Sequence, residues 1–398
     1  MEGSEVVIVS AVRTAVGCLN GTLAQLPAHH LGAAVCGEAL RQVEVAPEDV
    51  DELIMGQVLT AGQGQNPARQ TAVKAGLPYV VPAWGCQMVC ASGLKSVCLG
   101  ARAIRAAEAC VVLAGGQENM SLAPHAVHMR AGTKMGNCTL LDTMTTDGLT
   151  DAFHKYLMGV TAENVAQRWS VSREDQDLFA LCSQQRAEAA QNGGFFTREI
   201  LPVTVPQRKG AIQVMVDEFP RHGCTMEKLS AFSPCFLKDG TGTVTAGNST
   251  GVNDGAAAVL MMSAKEAGRR NIPPLARVIS WAQAGVDPDI MGTGPIPAVR
   301  KALAIAGWTI EQVDLFELNE AFAAQTVAVI RELGIHQDKV NIQGGAIALG
   351  HPIGASGCRI LVTLLHALQR IEGRRGVAAL CVGGGMGLAM CVERDLAG

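Results

Sequence analysis

Four side chains able to form, accept or polarise a reacting bond stand in glycine-rich or helix-starting contexts. Cys90 lies in CQMVCASGLKS, Asn319 in FELNEAF, His351 in GGAIALGHPIGASG and Cys381 in AALCVGGGMG. A thiol just ahead of a predicted helix meets unpaired backbone N–H groups and the positive end of the helix dipole. Both favour thiolate, the nucleophilic form. The glycines after Cys381, Gly383 among them, let a ligand approach the backbone and leave N–H groups free to donate. A neutral amide and an imidazole, as on Asn319 and His351, can together hold a water or an oxyanion. Two cysteines and a histidine without metal-ligand spacing suit acyl transfer through a thioester, with one cysteine as nucleophile, the other as acid/base and the imidazole as activator. Each residue alone also has a structural reading, as a core cysteine, a tight turn or a hydrogen-bonded histidine. Glu320, beside Asn319, reads equally well as an ion-pair partner or a catalytic acid. The glycine run lacks GxGxxG spacing, so no dinucleotide site is inferred.

These residues must be positioned by something, and the chain repeats itself around them. CASGLKSV begins at Cys90 and GASGCRIL at Gly354, 264 residues apart; DVDELI and QVDLFE place an acid at Asp51 and Asp314, 263 apart. VVLAGG (from Val111) and AALCVGG (from Ala378) read as a third match, shifted a few residues further. VVIVS and ARVIS read as strands. Leu94, Val97, Cys98, Ala101 and Ile104 follow Cys90 at helical spacing, as Ile360, Leu361, Leu364, Leu365 and Leu368 follow Ser356. Alternating strands and helices predict an α/β layered fold built from a duplicated unit. Residues 120–250 match neither half and read as an insertion forming a lid or binding surface.

The chain has 398 residues, 48% of them hydrophobic and 17% charged, with a net charge of −4. That is enough for two fused halves around a large core, and no basic stripe points to nucleic acid. Thirteen cysteines without regular spacing fit a reducing compartment better than a disulfide framework. Cys86 and Cys90 are four apart, but no second pair completes a zinc set, so no metal is expected. MEGSEVVIVS lacks presequence and signal-peptide character, ERDLAG is not a peroxisomal tripeptide, and no run is long enough to span a bilayer. A cytoplasmic protein without membrane partners is expected.

With SAVRTAVG, QNPARQ, GGQENMS, DGLTDAF, MGVTAENVA, DEFPRHG, DGTGTVTAGNSTGVNDGAAA and GPIPA, the four chemistry-bearing segments make an ordered set from Ser10 to Gly387. In this set the chain resembles the thiolase family. The resemblance implies two duplicated βαβαβαββ halves in five layers, residues 1–119 with 251–272 and residues 273–398, carrying an inserted loop domain at 120–250 that binds CoA. It implies Cys90 as the acylated nucleophile, His351 as its activator, Cys381 as the acid/base that takes an α-proton, and Asn319 as holder of the water in an oxyanion hole. The N–H groups of Cys90 and Gly383 match a second hole. Arg221 matches a CoA contact; Leu149, Met158, Thr250 and Phe322 match the lining of the pantetheine and acyl channel, and Met291 matches a residue crowding its end.

The implied reaction is the reversible condensation of two acetyl-CoA to acetoacetyl-CoA and CoA through an acetyl-cysteine. CoA is substrate and product, no other cofactor is implied, and the implied assembly is a dimer of dimers with contacts from the insertion. Two departures stand out: Leu157-Met158-Gly159 where the family has His-Met-Gly, and Cys224 and Thr250 where serines often contact CoA. Leu157 favours a second reading, a 3-ketoacyl-CoA thiolase of broader chain length. A non-catalytic acyl-CoA or lipid-binding protein of this fold would have lost a catalytic residue, and a condensing ketosynthase would carry two histidines where Asn319 and His351 stand.

Overall fold

The computed structural model describes Glu5–Asp395. Met1–Ser4 and Leu396–Gly398, which hold parts of the terminal segments read for targeting, lie outside the described residues. The first half contributes strands β1 (Val6–Thr14), β2 (Glu52–Gly56), β3 (Ala83–Cys86), β4 (Val111–Asn119) and β5 (Asn253–Ser263). The second contributes β6 (Ala276–Gly285), β7 (Leu315–Leu318), β8 (Arg375–Val382) and β9 (Met386–Glu393). Their order is β7-β8-β9-β6-β1-β5-β4-β2-β3. Among the described residues the halves join edge to edge at Val7↔Arg277 and Ile8↔Ala276.

Each sheet is covered on both faces, which explains strands that are apolar throughout. In β1, Val6, Ile8 and Ala11 point into one core, while Val7, Val9 and Val12 point into another. Helix α1 (Ala28–Arg41) lays Leu31 and Val35 on the outer face of the first sheet. Helices α3 (Ser92–Arg105) and α8 (Ile353–Arg370) fill the space between the sheets; their Leu94, Val97, Leu361 and Leu364 share one core with Ile54, Val112, Ala378 and Leu380. Helices α6 (Pro295–Ala306) and α7 (Ala323–Leu333) cover the outer face of the second sheet through Val299 and Val329. The order is helix, sheet, helix, sheet, helix: five layers. Among the remaining helices are α2 (Pro67–Lys74), α4 (Met158–Arg168) and α5 (Arg173–Asn192); α4 packs on the second half, while α5 reaches both, through Phe179 on the second and Ala187 on the first.

The repeat has a structural reason. The central helices α3 and α8 cross at Gly93 and Gly357, again 264 residues apart. A Cβ on Gly93 would sit 2.9 Å from Cys358 N, and one on Gly357 would sit 2.5 Å from Leu94 N. Only glycine permits that approach. Asp51 accepts from Cys110 N and Val111 N at 2.7 and 2.9 Å, and Asp314 accepts from Arg374 N and Arg375 N, both at 2.8 Å. The same carboxylate thus starts β4 in one half and β8 in the other. This aligns Val111 with Arg375 and corrects the match of VVLAGG to AALCVGG: the offset stays at 264, and those glycines are not equivalent.

The halves differ in one strand. Opposite β7, the counterpart of β3 shrinks to a single bridge, Phe316↔Val340. The chain turns away at Asn341, whose φ is +46°, and its side-chain amide takes over the ladder: Oδ1 accepts from Leu318 N at 2.9 Å and Nδ2 donates to Leu318 O at 2.8 Å.

Candidate active site

Cys90 follows β3, Asn319 follows β7, Cys381 lies near the end of β8, and His351 precedes α8. The carboxyl ends of parallel strands are where α/β sheets place their chemistry.

Cys90 sits on a strained turn. Val89 has φ +44°, a left-handed conformation that β-branched residues avoid. The turn is closed by Ser92, whose hydroxyl donates to Val89 O at 2.7 Å and accepts from Met88 N at 2.8 Å. The thiol faces two backbone donors, its own N–H and that of Gly383. Gly383 opens the β8–β9 turn. Gly384 and Gly385 there have φ near +85°, and a Cβ on Gly385 would lie 2.3 Å from Val286 O. A Cβ added at Gly383 would lie 3.4 Å from Val89 Cγ1 and 3.6 Å from Met158 Sδ. Burial pushes the Cys90 thiol up to about 11, against the two N–H groups that lower it. Desolvation thus opposes the thiolate that the helix start and the two N–H groups favour.

His351 is held from both sides. Gly350 has φ +101°, and its missing Cβ would overlap the Asn253 amide at 2.5 Å from Cγ. Asn253 Oδ1 accepts from His351 N at 2.9 Å. On the ring side, Nδ1 lies 2.5 Å from Ser356 Oγ. The one Ser356 proton is directed to Pro352 O at 2.9 Å, so the ring donates from Nδ1 and carries its lone pair on Nε2. Burial, with a smaller contribution from the Arg359 charge, pulls the imidazole down to about 3. It rests neutral.

Asn319 N donates to Ala379 O at 2.9 Å, fixing the loop to β8. Its Nδ2 is 3.4 Å from each ring nitrogen of His351, and its Oδ1 is buried without a protein partner. Cys381 is fully buried; burial first, and the Cys90 thiol second, push its own thiol upward. Glu320 belongs to the scaffold: it accepts from Ser183 Oγ at 2.7 Å, Asn341 Nδ2 at 2.8 Å and Ile347 N at 3.1 Å.

The outlying residues fall in three places. Leu149 ends a π-helical turn (Met144–Leu149) and shares a small core with Cys90 and Ile353. Met158, Met291 and Phe322 pack in the core that includes Cys381, with Phe322 edge-on to Phe236 at 6.1 Å. Thr250 links two loops, donating from Oγ1 to Ala346 O at 2.9 Å and from its N–H to Ala321 O at 3.2 Å. Arg221 is apart from the four, with its guanidinium over Phe219 and Phe232 and bonded to Ala246 O.

Four features were not read from the sequence: the strain at Val89, the Asn253 clamp, the Ser356 bond to the imidazole, and Phe236. Ser356 alone had a signal, since it stands in the repeat as the counterpart of Ser92. Glu118 is a further organiser. Its carboxylate accepts from Val58, Leu59 and Gly354 N–H groups at 2.9–3.2 Å and ties β4 to the start of α8.

Residues 6–265 match the N-terminal domain of thiolase and residues 272–394 the C-terminal domain. The chain is 61% identical to mouse "Acetyl-CoA acetyltransferase, cytosolic", over 98% of both chains. Its fold matches the crystal structure of Bacillus anthracis acetyl-CoA acetyltransferase with a TM-score of 0.96 at 41% identity, covering 98% of this chain and 99% of that one. Human mitochondrial 3-ketoacyl-CoA thiolase matches with a TM-score of 0.95 at 42% identity, with the same coverage. A thiol facing two backbone donors, a neutral histidine and a second buried cysteine thus sit in a fold and sequence that agree with one family from end to end: the chain belongs to the thiolase family.

Proposed function

We propose that this protein is an acetyl-CoA C-acetyltransferase, joining two acetyl-CoA into acetoacetyl-CoA and CoA, and running the reverse thiolysis, through an acetyl group on Cys90. One observation carries the reading: the Cys90 thiol faces its own N–H and that of Gly383, where a thioester oxygen would develop charge.

The pair rests as thiol and neutral imidazole, so the nucleophile forms only as it attacks. His351 Nε2 takes the Cys90 proton while the Ser356 oxygen steadies the imidazolium through Nδ1. The thiolate attacks acetyl-CoA, the Cys90 and Gly383 N–H groups hold the tetrahedral oxyanion, and CoA leaves with the proton of Cys381, so that Cys381 is left as thiolate and His351 keeps its proton on Nε2. A second acetyl-CoA then binds. Its α-carbon is a weak acid, so the enolate oxygen needs donors while Cys381 removes the proton. The protonated His351 ring, donating from Nε2, and a water on Asn319 Oδ1 fill that need, and the unpartnered buried Oδ1 supports it. The enolate carbon attacks acetyl-Cys90, the C–S bond breaks to release acetoacetyl-CoA, and the Cys90 thiolate recovers its proton from His351 Nε2. Removing one donor of such a hole lowers turnover on the order of 10²- to 10³-fold.

In this reading residues 120–250 are the insertion that holds CoA, between halves at 1–119 with 251–272 and at 273–398. Arg221 meets the nucleotide end; Leu149, Met158, Thr250 and Phe322 line the pantetheine and acyl channel, and Met291 closes it. CoA enters and leaves as substrate and product, with no other cofactor. We place the protein in the cytoplasm, as the name of the mouse relative supports, acting in lipid metabolism as a dimer of dimers. Among the described residues no helix is long and apolar enough to cross a membrane.

Intact-protein mass after mixing with acetyl-CoA tests the reading. An acetyl adduct absent from Cys90→Ser is expected; no adduct from any acyl-CoA on a folded protein would sink it. A broader 3-ketoacyl-CoA thiolase is the second reading, favoured by Leu157 in place of the family's histidine. Adducts only from longer acyl-CoAs would select it.

A further inference from the structure

Beside the site, one side-chain cluster plays no part in the steps above. The chain loops tightly between Thr150 and Leu157, which pair as an isolated bridge. Asp151 organises the loop by accepting from Phe153 N at 3.0 Å and His154 N at 2.7 Å. The Tyr156 hydroxyl leaves the loop and donates to Asp289 Oδ1. His154 stacks on the Tyr156 ring, with centroids 5.3 Å apart and planes 11° apart, and its Nδ1 lies 3.0 Å from Asp151 and 3.3 Å from Asp289. Asn164, one turn further along α4, donates to Asp289 O at 3.0 Å.

Both ends of this contact lead to the acyl site. Two residues beyond Tyr156 is Met158, whose Sδ borders the Gly383 position. Two residues beyond Asp289 is Met291, buried in the same core as Met158 and Cys381. The strand of chain carrying Asp289 also underlies the glycine turn, since Val286 N donates to Gly385 O at 2.8 Å. Met158 and Met291 come from different segments; of the polar contacts between those segments, with His154 and Asn164 also reaching Asp289, Tyr156–Asp289 joins the residues two positions before each methionine.

We propose that Tyr156, clasped to Asp289 and backed by His154, is a specificity-setting positioning residue that holds Met158 and Met291 together as the end wall of the acyl site. The inference rests on the thiolase reading above. With the tie intact, unbranched sulfur side chains, flexible by themselves, are held as a closed wall. With it cut, the loop and the 288–293 turn separate enough to admit further carbons. The hydrogen-bond partners of the tie do not include Cys90, so it governs which acyl chain fits and leaves the transfer step alone.

The test is thiolysis of acetoacetyl-CoA against a straight six-carbon 3-ketoacyl-CoA, in wild type, Tyr156→Phe and Asp289→Asn. One pocket methylene is worth about tenfold or more in selectivity. Tyr156→Phe should raise the six-carbon to four-carbon ratio of kcat/KM about tenfold, mainly through the six-carbon KM, with acetylation of Cys90 by acetyl-CoA preserved. Asp289→Asn keeps an acceptor for the tyrosine and should leave the ratio near that of wild type. An unchanged ratio in a folded Tyr156→Phe overturns the proposal, as does equal loss on both substrates. Failure of the wild type to acetylate Cys90 would instead remove the reading beneath it.

Discussion

Ser92 and Ser356 occupy the same place in the two halves, 264 residues apart, and use the same hydrogen-bond pattern for different ends. Each donates its proton backward to a carbonyl, Val89 O or Pro352 O. Each then has a lone pair to offer. Ser92 spends it on the backbone, accepting from Met88 N, and so closes the turn that presents Cys90. Ser356 offers it to the His351 ring and so chooses the tautomer. A nearby position shows the same division: Cys90 reacts, while its counterpart Gly354 makes room and anchors α8 to Glu118, since a Cβ there would lie 2.6 Å from Glu118 Oε2 and 2.8 Å from Gln57 Cα. A duplicated helix start has kept its geometry and divided its labour between nucleophile and base.

The largest expected contrast is between those two neighbours. Cys90→Ser should lower turnover on the order of 10⁴-fold with little change in thermal stability. Gly354→Ala should act mainly through stability, losing about 1–3 kcal/mol to overpacking. Steady-state kinetics beside denaturant titration separates them, and similar losses of both kinds in the two variants would break the comparison.

The serines give the next contrast. Ser356→Ala leaves the imidazole free to choose the wrong tautomer, and turnover should fall about 10²-fold, the low end for a disabled general base. Ser92→Ala orphans Met88 N and should cost about 1–3 kcal/mol of stability, with the smaller kinetic effect. Ser356→Thr, which keeps the hydroxyl, should recover most of the turnover; if it does not, orientation of the ring is not what Ser356 supplies.

His351 and Cys90 should also weaken the fold at opposite ends of the pH scale. His351 is pulled from 6.5 to about 3, so the unfolded chain binds the extra proton between those values. Its contribution is present above pH 6.5 and is lost as pH falls toward 3. Cys90 is pushed from 9.0 to about 11, so the folded chain holds its proton longer. That contribution is present below pH 9 and is lost as pH rises through 11. Urea titration across pH should show a flatter acid limb in His351→Gln and a flatter alkaline limb in Cys90→Ala, each relative to wild type. Parallel curves would show that neither group is desolvated as described.

What could be read in advance follows the range of the interactions. The α3 and α8 faces, the strand starts and the CASG and GASG repeat are local patterns, and all of them appear. The helix start that favours a Cys90 thiolate is visible locally, while the desolvation that opposes it comes from distant parts of the chain and is not. The Asn253 clamp spans 98 residues and leaves no spacing signal. The short counterpart of β3 was hidden for a similar reason: Asn341 replaces a backbone ladder with a side-chain amide, which no strand propensity encodes. The third repeat match failed because its glycines imitated each other across a register that the Asp51 and Asp314 caps fix differently.

The smallest contrast concerns strain. Val89 and Ile353 are counterparts, and both lie near Cys90, but only Val89 has a positive φ. Such a conformation costs on the order of 1–3 kcal/mol in a β-branched residue. Val89→Gly removes that cost along with the side-chain contacts, so stability should change by less than about 1 kcal/mol. Turnover should still fall a fewfold, because a glycine turn no longer confines the thiol opposite the Gly383 N–H. Ile353→Gly relieves nothing. It empties a buried site and weakens the first turn of α8, so stability should fall by about 2–4 kcal/mol. The pair is measured by the same denaturant titration, with single-turnover acetylation of Cys90 beside it. If Val89→Gly costs as much stability as Ile353→Gly, the left-handed turn is not strained, and the placement of Cys90 must be credited to Ser92 alone.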